Sequence, residues 1–108
     1  MARGLIQSLE EKKGEDILLL DIQELAAFTD FFIICNGSSE RMLRSLADCV
    51  QEFAWKNKLR ARLEGNDSNG WMVVDMEDIV VHLFSPEQRD YYKLEQLWSS
   101  GKVLLRLQ

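Results

Sequence analysis

The chain has 108 residues, 46% hydrophobic and 29% charged, which suits one ordinary globular domain (1–108) with a core of its own. Its formal net charge of −5 works against wholesale binding of phosphate backbones, which needs clustered Lys and Arg. The longest apolar runs are strand-sized, so no membrane span is expected.

The first eleven residues lack the apolar block of a secretory signal, and Glu10 and Glu11 are foreign to a mitochondrial transit peptide, so a cytoplasmic protein is expected. Residues 2–13 read as a short helix using Leu5, Ile6 and Leu9, stopped by Gly14. Residues 16–22 and 30–36 are continuous apolar runs, the pattern of buried strands. Cys35 lies in the second run and Cys49 in the helix that follows. So spaced, and with a single histidine, they make no zinc pattern and read as reduced core thiols. Gly37-Ser38-Ser39 turns the chain into the longest helix, residues 40–57, with Ser38 or Ser39 as N-cap. Leu43, Leu46, Ala47, Val50, Phe53 and Ala54 form its buried stripe. The local basic cluster from Lys56 to Arg62 reads as a solvated helix end and loop. Residues 60–64 suggest a short strand, and 65–70 are turn chemistry throughout.

The most informative stretch is 70–84. It reads as two strands meeting at a two-residue turn, Glu77-Asp78. Alternation then places Met72, Val74 and Met76 opposite Leu83, Val81 and Ile79 on a wholly apolar face. The other face pairs Trp71 with Phe84, Val73 with His82, and Asp75 with Val80. Aromatic anchors beside an acid are what a docking surface requires. Met76, at the tip, reads as a core edge or a contact. Pro86 opens a last helix to residue 99 that uses Tyr91, Leu94, Leu97 and Trp98, with Arg89, Tyr92 and Glu95 either a rim for the aromatic face or a solvated helix face. Residues 102–108 add an edge strand or dock on the domain. The whole reads as an α/β fold with a single mixed β-sheet of about five strands and its helices on one face, which leaves Trp71 and Phe84 on the open face; the alternative is that the C-terminal helix or tail covers them as core.

These residues allow two enzymatic readings. Gly37-Ser38 at a strand-to-helix turn, with Asp75 and Glu77 spaced i, i+2 downstream, suggests a nucleotidyltransferase holding a triphosphate and a metal. The acids lie too far downstream for that pattern, and no phosphate clamp accompanies them. His82 as a general base has no nucleophile placed beside it by any motif. No catalytic residue, cofactor or metal is expected.

Four ordered motifs carry a resemblance. Lys13-Gly-Glu-Asp16-Ile17-Leu-Leu-Leu20-Asp21 resembles the opening motif of the ribosomal silencing factors, also called the Iojap-like family. Asp30-Phe31-Phe32-Ile33-Ile34 with Gly37-Ser38-Ser39-Glu40-Arg41 is similar to their second. Glu64-Gly65 followed by Trp71, Asp75, Asp78, His82 and Phe84 resembles the third, and Arg89-Asp-Tyr-Tyr92-Lys-Leu94-Glu95-Gln-Leu97-Trp98 the closing signature. The match runs from about Lys13 to Trp98. Glu77 departs from it, since relatives commonly have glycine there, and Met76 stands where leucine or an aromatic is common.

The resemblance implies a nucleotidyltransferase-like topology without an active site. It implies a translational repressor that binds the large ribosomal subunit through its fourteenth protein and blocks joining of the small subunit, while organellar relatives act in assembly. Trp71, Asp75 and Met76 correspond to the family's docking surface. Glu77, Asp78, His82 and Phe84 complete the patch expected here. The partner would be a basic ribosomal protein, with neither membrane nor nucleic acid as main contact. A monomer is expected on the ribosome, with a homodimer the alternative when free.

Overall fold

Helix α1 (Ala2–Glu11) leads into strands β1 (Glu15–Asp21) and β2 (Phe31–Asn36), then helix α2 (Glu40–Lys56). Strands β3 (Arg62–Asn66), β4 (Trp71–Asp75) and β5 (Ile79–Phe84) follow, then helices α3 (Pro86–Tyr92) and α4 (Leu94–Leu97) and strand β6 (Lys102–Leu107). The structure, a computed structural model, describes residues 2–97 and 100–107. The strands form one mixed sheet in the order β3-β4-β5-β2-β1-β6, in which β2 and β5 run parallel and every other pair is antiparallel.

Helices α1 and α2 lie on one face. Leu5, Ile6 and Leu9 from α1 and Leu43, Leu46, Val50 and Ala54 from α2 meet Ile17, Leu19, Ile33, Val74 and Val81 of the sheet in one aliphatic cluster. Full burial of each large aliphatic side chain contributes about 1.5–3 kcal/mol, and this cluster is the main source of stability. Ser39 caps α2, its hydroxyl accepting from the Met42 N–H at 3.1 Å. Cys35 and Cys49 are free and buried, and burial pushes the Cys35 thiol up to about 12 and the Cys49 thiol upward. Neither is a reactive thiolate near neutral pH.

The second face is not bare. Leu18, Leu20, Ile22, Phe32, Ile34, Val80 and Phe84 form a separate buried cluster, edged by Ala26, Trp71, Val73 and Leu94. Strands β1 and β2 therefore bury side chains on both faces, which is why their sequences are continuous apolar runs and not alternating ones.

Three expectations change in detail. The sheet has six strands because residues 102–107 pair antiparallel with β1 along its free edge. Strand β3 occupies 62–66, two residues later than expected. The last helix breaks at Lys93, which takes a left-handed φ of 50° while its N–H bonds the Arg89 carbonyl at 2.9 Å. That break carries Leu94 onto the second cluster and leaves Tyr91 exposed. Of the residues expected in the final turns, Trp98 and Ser99 lie outside the described residues, as do the side chains of Glu95 and Leu97.

Candidate docking site

The β4–β5 hairpin has the register its alternation demands: Trp71 opposite Phe84, Met72 opposite Leu83, Val73 opposite His82, Val74 opposite Val81 and Asp75 opposite Val80. The Met76 N–H donates to the Ile79 carbonyl at 2.9 Å, so Glu77 and Asp78 alone make the turn. The Asp78 N–H donates to the Met76 carbonyl at 2.9 Å across Glu77, whose φ is 71°. Glycine enters this left-handed region without penalty, whereas a glutamate there costs about 1–2 kcal/mol.

Other bonds hold the strained tip. The Asp75 carboxylate accepts from the Glu77 N–H at 2.9 Å. The Asp78 carbonyl accepts from the N–H groups of both Asp30 and Phe31 at 3.0 Å, pinning the turn to the start of β2. Arg62 on β3 approaches the Asp75 carboxylate at 3.8 Å. The outcome is an acidic tip on a fixed backbone.

Behind the tip lies the aromatic face. The Trp71 indole stacks on Phe84 at 5.0 Å between centroids and meets Tyr92 at 4.5 Å. Its Nε1–H donates to Nδ1 of His82 at 3.3 Å. The His82 ring also meets Phe32 edge-on at 4.7 Å. Burial pushes the His82 imidazole down to about 4, so it is neutral at pH 7, and its remaining proton sits on Nε2 because Nδ1 accepts. Trp71 is thereby clamped on three sides with part of its surface still open to solvent.

The residues singled out in sequence divide into two groups. Glu77 and Asp78 are exposed, and Trp71 and Asp75 are partly exposed. Met76, His82 and Phe84 are 4%, 7% and 0% exposed, so none offers a contact surface in this conformation. Met76 faces the aliphatic cluster because it continues the Met72–Val74 side of β4, while His82 and Phe84 lie under Trp71, Phe32 and Tyr92. Tyr92 does border Trp71. Arg89 does not belong to a rim: it is 5% exposed and donates to the Asp16 carbonyl and, at 2.9 Å, to the Asn36 side chain. Its guanidinium lies 3.6 Å from the Asp16 carboxylate, joining α3 to the ends of β1 and β2. Sequence carries no signal for this clamp, because a helical arginine reads as solvated unless the partner strands are known.

The geometry also separates the halves of the nucleotidyltransferase pattern. Gly37 follows Asn36, which pairs with Phe84, whereas Asp75 pairs with Val80. Val80 and Phe84 are four positions apart on β5, about 13 Å of strand, and Glu77 has left the strand for the turn.

The family model described as "Ribosomal silencing factor during starvation" matches residues 1–107. The chain belongs to this family. The ribosomal silencing factor RsfS of Bacillus subtilis (strain 168) is 38% identical over 95 residues, spanning 87% of this chain and 80% of that protein. A protein of Chromobacterium violaceum solved by X-ray crystallography superposes with a TM-score of 0.86 at 36% identity, covering 91% of this chain and 82% of that one. The mouse protein named "Mitochondrial assembly of ribosomal large subunit protein 1" is 31% identical over 99 residues, spanning 88% of this chain and 43% of the mouse protein. The silencing-factor match begins well before Lys13, where the quoted motifs start, and takes in β6. Among the described residues, no helix of this ribosomal silencing factor is long and apolar enough to cross a membrane.

Proposed function

We propose that this family member silences ribosomes by occlusion. It docks its β4–β5 hairpin on the large subunit, on the basic fourteenth protein, and occupies the surface that the small subunit needs. Trp71 is the anchor, and Asp75, Glu77 and Asp78 meet Lys and Arg of the partner. Met76, His82 and Phe84 support these groups from beneath. The observation that carries this reading is a partly open tryptophan, held on three sides, beside an acidic turn whose backbone is pinned at both ends. An anchor already ordered in the free protein loses little rotamer freedom on binding. The reaction is association alone, in the cytoplasm, with the protein monomeric on the ribosome; a free homodimer through Trp71 would compete.

Gradient sedimentation of purified subunits, at a magnesium level that permits joining, tests the reading. The protein should travel with the large subunit and diminish the joined peak. Trp71→Ala should cost at least tenfold in affinity, about 1.4 kcal/mol. Because Trp71 packs on Phe84 and Tyr92, thermal unfolding must show that the variant is folded. The exposed Asp78→Lys gives an independent reading of the charge contact. If both variants fold and bind like the parent, the hairpin is not the docking site. The mouse relative's name favours a second reading, an assembly factor, which predicts large-subunit binding with joining unaffected.

A further inference from the structure

We propose that the end of α2 and the loop after it make a second contact on the ribosomal particle, to ribosomal RNA, with Trp55 against a base or ribose and Lys58 and Arg60 against phosphates. This rests on the reading above, in which the hairpin holds the protein on the large subunit.

The segment from Trp55 to Arg62 holds four of the chain's 13 cationic side chains and none of its 18 acidic ones, so it is a local positive patch on an acidic protein. Trp55 is 80% exposed, more than any other large apolar side chain among the described residues. It falls out of phase with the stripe of Leu43, Leu46, Ala47, Val50 and Ala54 that faces the sheet, so nothing in the core accounts for an indole there. The backbone at this end is well defined. The Lys58 N–H donates to the Trp55 carbonyl at 3.2 Å and the Leu59 N–H to the Ala54 carbonyl at 2.8 Å, a Schellman stop with Lys58 left-handed. Leu59 packs against the aliphatic cluster, while Lys58 and Arg60 on either side of it are exposed.

The cations are not equivalent. Lys56 pairs with Glu52 at 3.1 Å, and Arg62 with Glu64 at 3.1 Å. Among the described residues, Lys58 and Arg60 have no acidic partner. The negative end of the α2 dipole explains cations at Lys56 and Lys58, but it decays within a turn and explains neither Arg60 nor Trp55. Separate cations beside a bare aromatic ring suit RNA, which offers phosphate oxyanions and stacking faces together. An acidic peptide would satisfy the cations and leave the indole unused. Arg60, Ala61 and Arg62 share one open cleft of about 540 Å³ with Asp75 and Glu77, so the patch adjoins the docking hairpin. A ribosomal protein held at the hairpin would bring its neighbouring RNA within reach.

Two measurements on purified large subunits test this. In the first, affinity is followed against salt for the parent and for the double variant Lys58→Ala/Arg60→Ala. Each phosphate contact contributes about 0.7–0.9 to the slope of log affinity on log salt, so the variant's slope should flatten by about 1.5. Its affinity at low salt should fall about tenfold. Trp71→Ala should lower affinity with little change of slope. In the second, p-benzoylphenylalanine in place of Trp55 should photo-crosslink to ribosomal RNA. An unchanged slope, or crosslinks to ribosomal protein only or to nothing, overturns the RNA contact while leaving the hairpin reading intact. If the parent protein does not travel with the large subunit, the hairpin reading fails and this contact fails with it.

Discussion

Under α1 and α2 the sheet presents aliphatic and thioether side chains, and the protein's own helices cover them. The opposite face carries Trp71, His82, Phe84 and Phe32, covered in part by Tyr92 and Leu94 beyond the break at Lys93. The difference lies in the polar atoms. The aliphatic face has little to satisfy beyond the Cys35 thiol, which donates to the Asn36 carbonyl at 3.6 Å, so packing dominates its stability. On the aromatic face the Trp71 N–H takes His82 and the Asp75 carboxylate takes the Glu77 N–H, while the buried Nε2 of His82 has no hydrogen-bond partner among the described residues. A face built this way is rigid without being sealed, which suits contact with another molecule.

Removing packing from the aliphatic side should have the largest effect and the least specific one. Leu46 is fully buried under α2, so Leu46→Ala should lower unfolding free energy by about 4 kcal/mol. Affinity of the folded fraction for the large subunit should be unchanged. Weakened binding at constant folded fraction would show that the two faces are coupled.

Arg89→Ala should cost about 3 kcal/mol by denaturant unfolding, because it strands the Asp16 carbonyl and the Asn36 side chain where α3 joins the sheet. If the loss were under 1 kcal/mol, α3 would be held by its apolar contacts alone.

The aromatic side should differ from the aliphatic side in its response to pH. The His82 imidazole falls from its ordinary 6.5 to about 4 in the fold, so the unfolded chain binds the proton more readily. The stability this contributes is complete above pH 6.5 and is lost as pH falls toward 4. Between pH 7 and pH 5 the loss should be about 2 kcal/mol beyond that of His82→Phe, in which carboxylates titrate but the ring does not. Equal losses in the two proteins would mean that His82 keeps its ordinary pKa in the fold.

The smallest effect belongs to the tip. Glu77→Gly relieves the left-handed strain and should raise stability by up to about 1 kcal/mol, offset in part by the freedom glycine adds to the unfolded chain. It should also slow association with a basic partner by removing one charge. A loss of stability would show that the Glu77 side chain contributes to the turn.

Most of the hairpin was legible in the sequence because two independent signals agreed there. Alternation sorted Met72, Val74 and Met76 from Trp71, Val73 and Asp75, and the two residues left between the strands set the register. Local pattern likewise found the α2 stripe and narrowed its cap to Ser38 or Ser39, of which Ser39 is the cap. What the sequence left open was the accessibility of the site: Phe84 and His82 sit on the predicted face, and the alternative of cover by the C-terminal segment holds for them, since Phe84 is fully buried and His82 nearly so.

Local periodicity is a property of neighbours along the chain, so strand faces, the helix stripe and the turn follow from the sequence itself. Burial of the aromatic face depends on where a later segment lies, and the break at Lys93 has no glycine or proline to announce it. The Arg89 clamp joins residues 73 and 53 positions apart in sequence, Asp16 and Asn36, and exists only once β1, β2 and α3 have been brought together. Which residues could meet a partner was decided by the sequence. Which of them remain open was decided by packing, since long-range contacts leave no periodic trace in the chain.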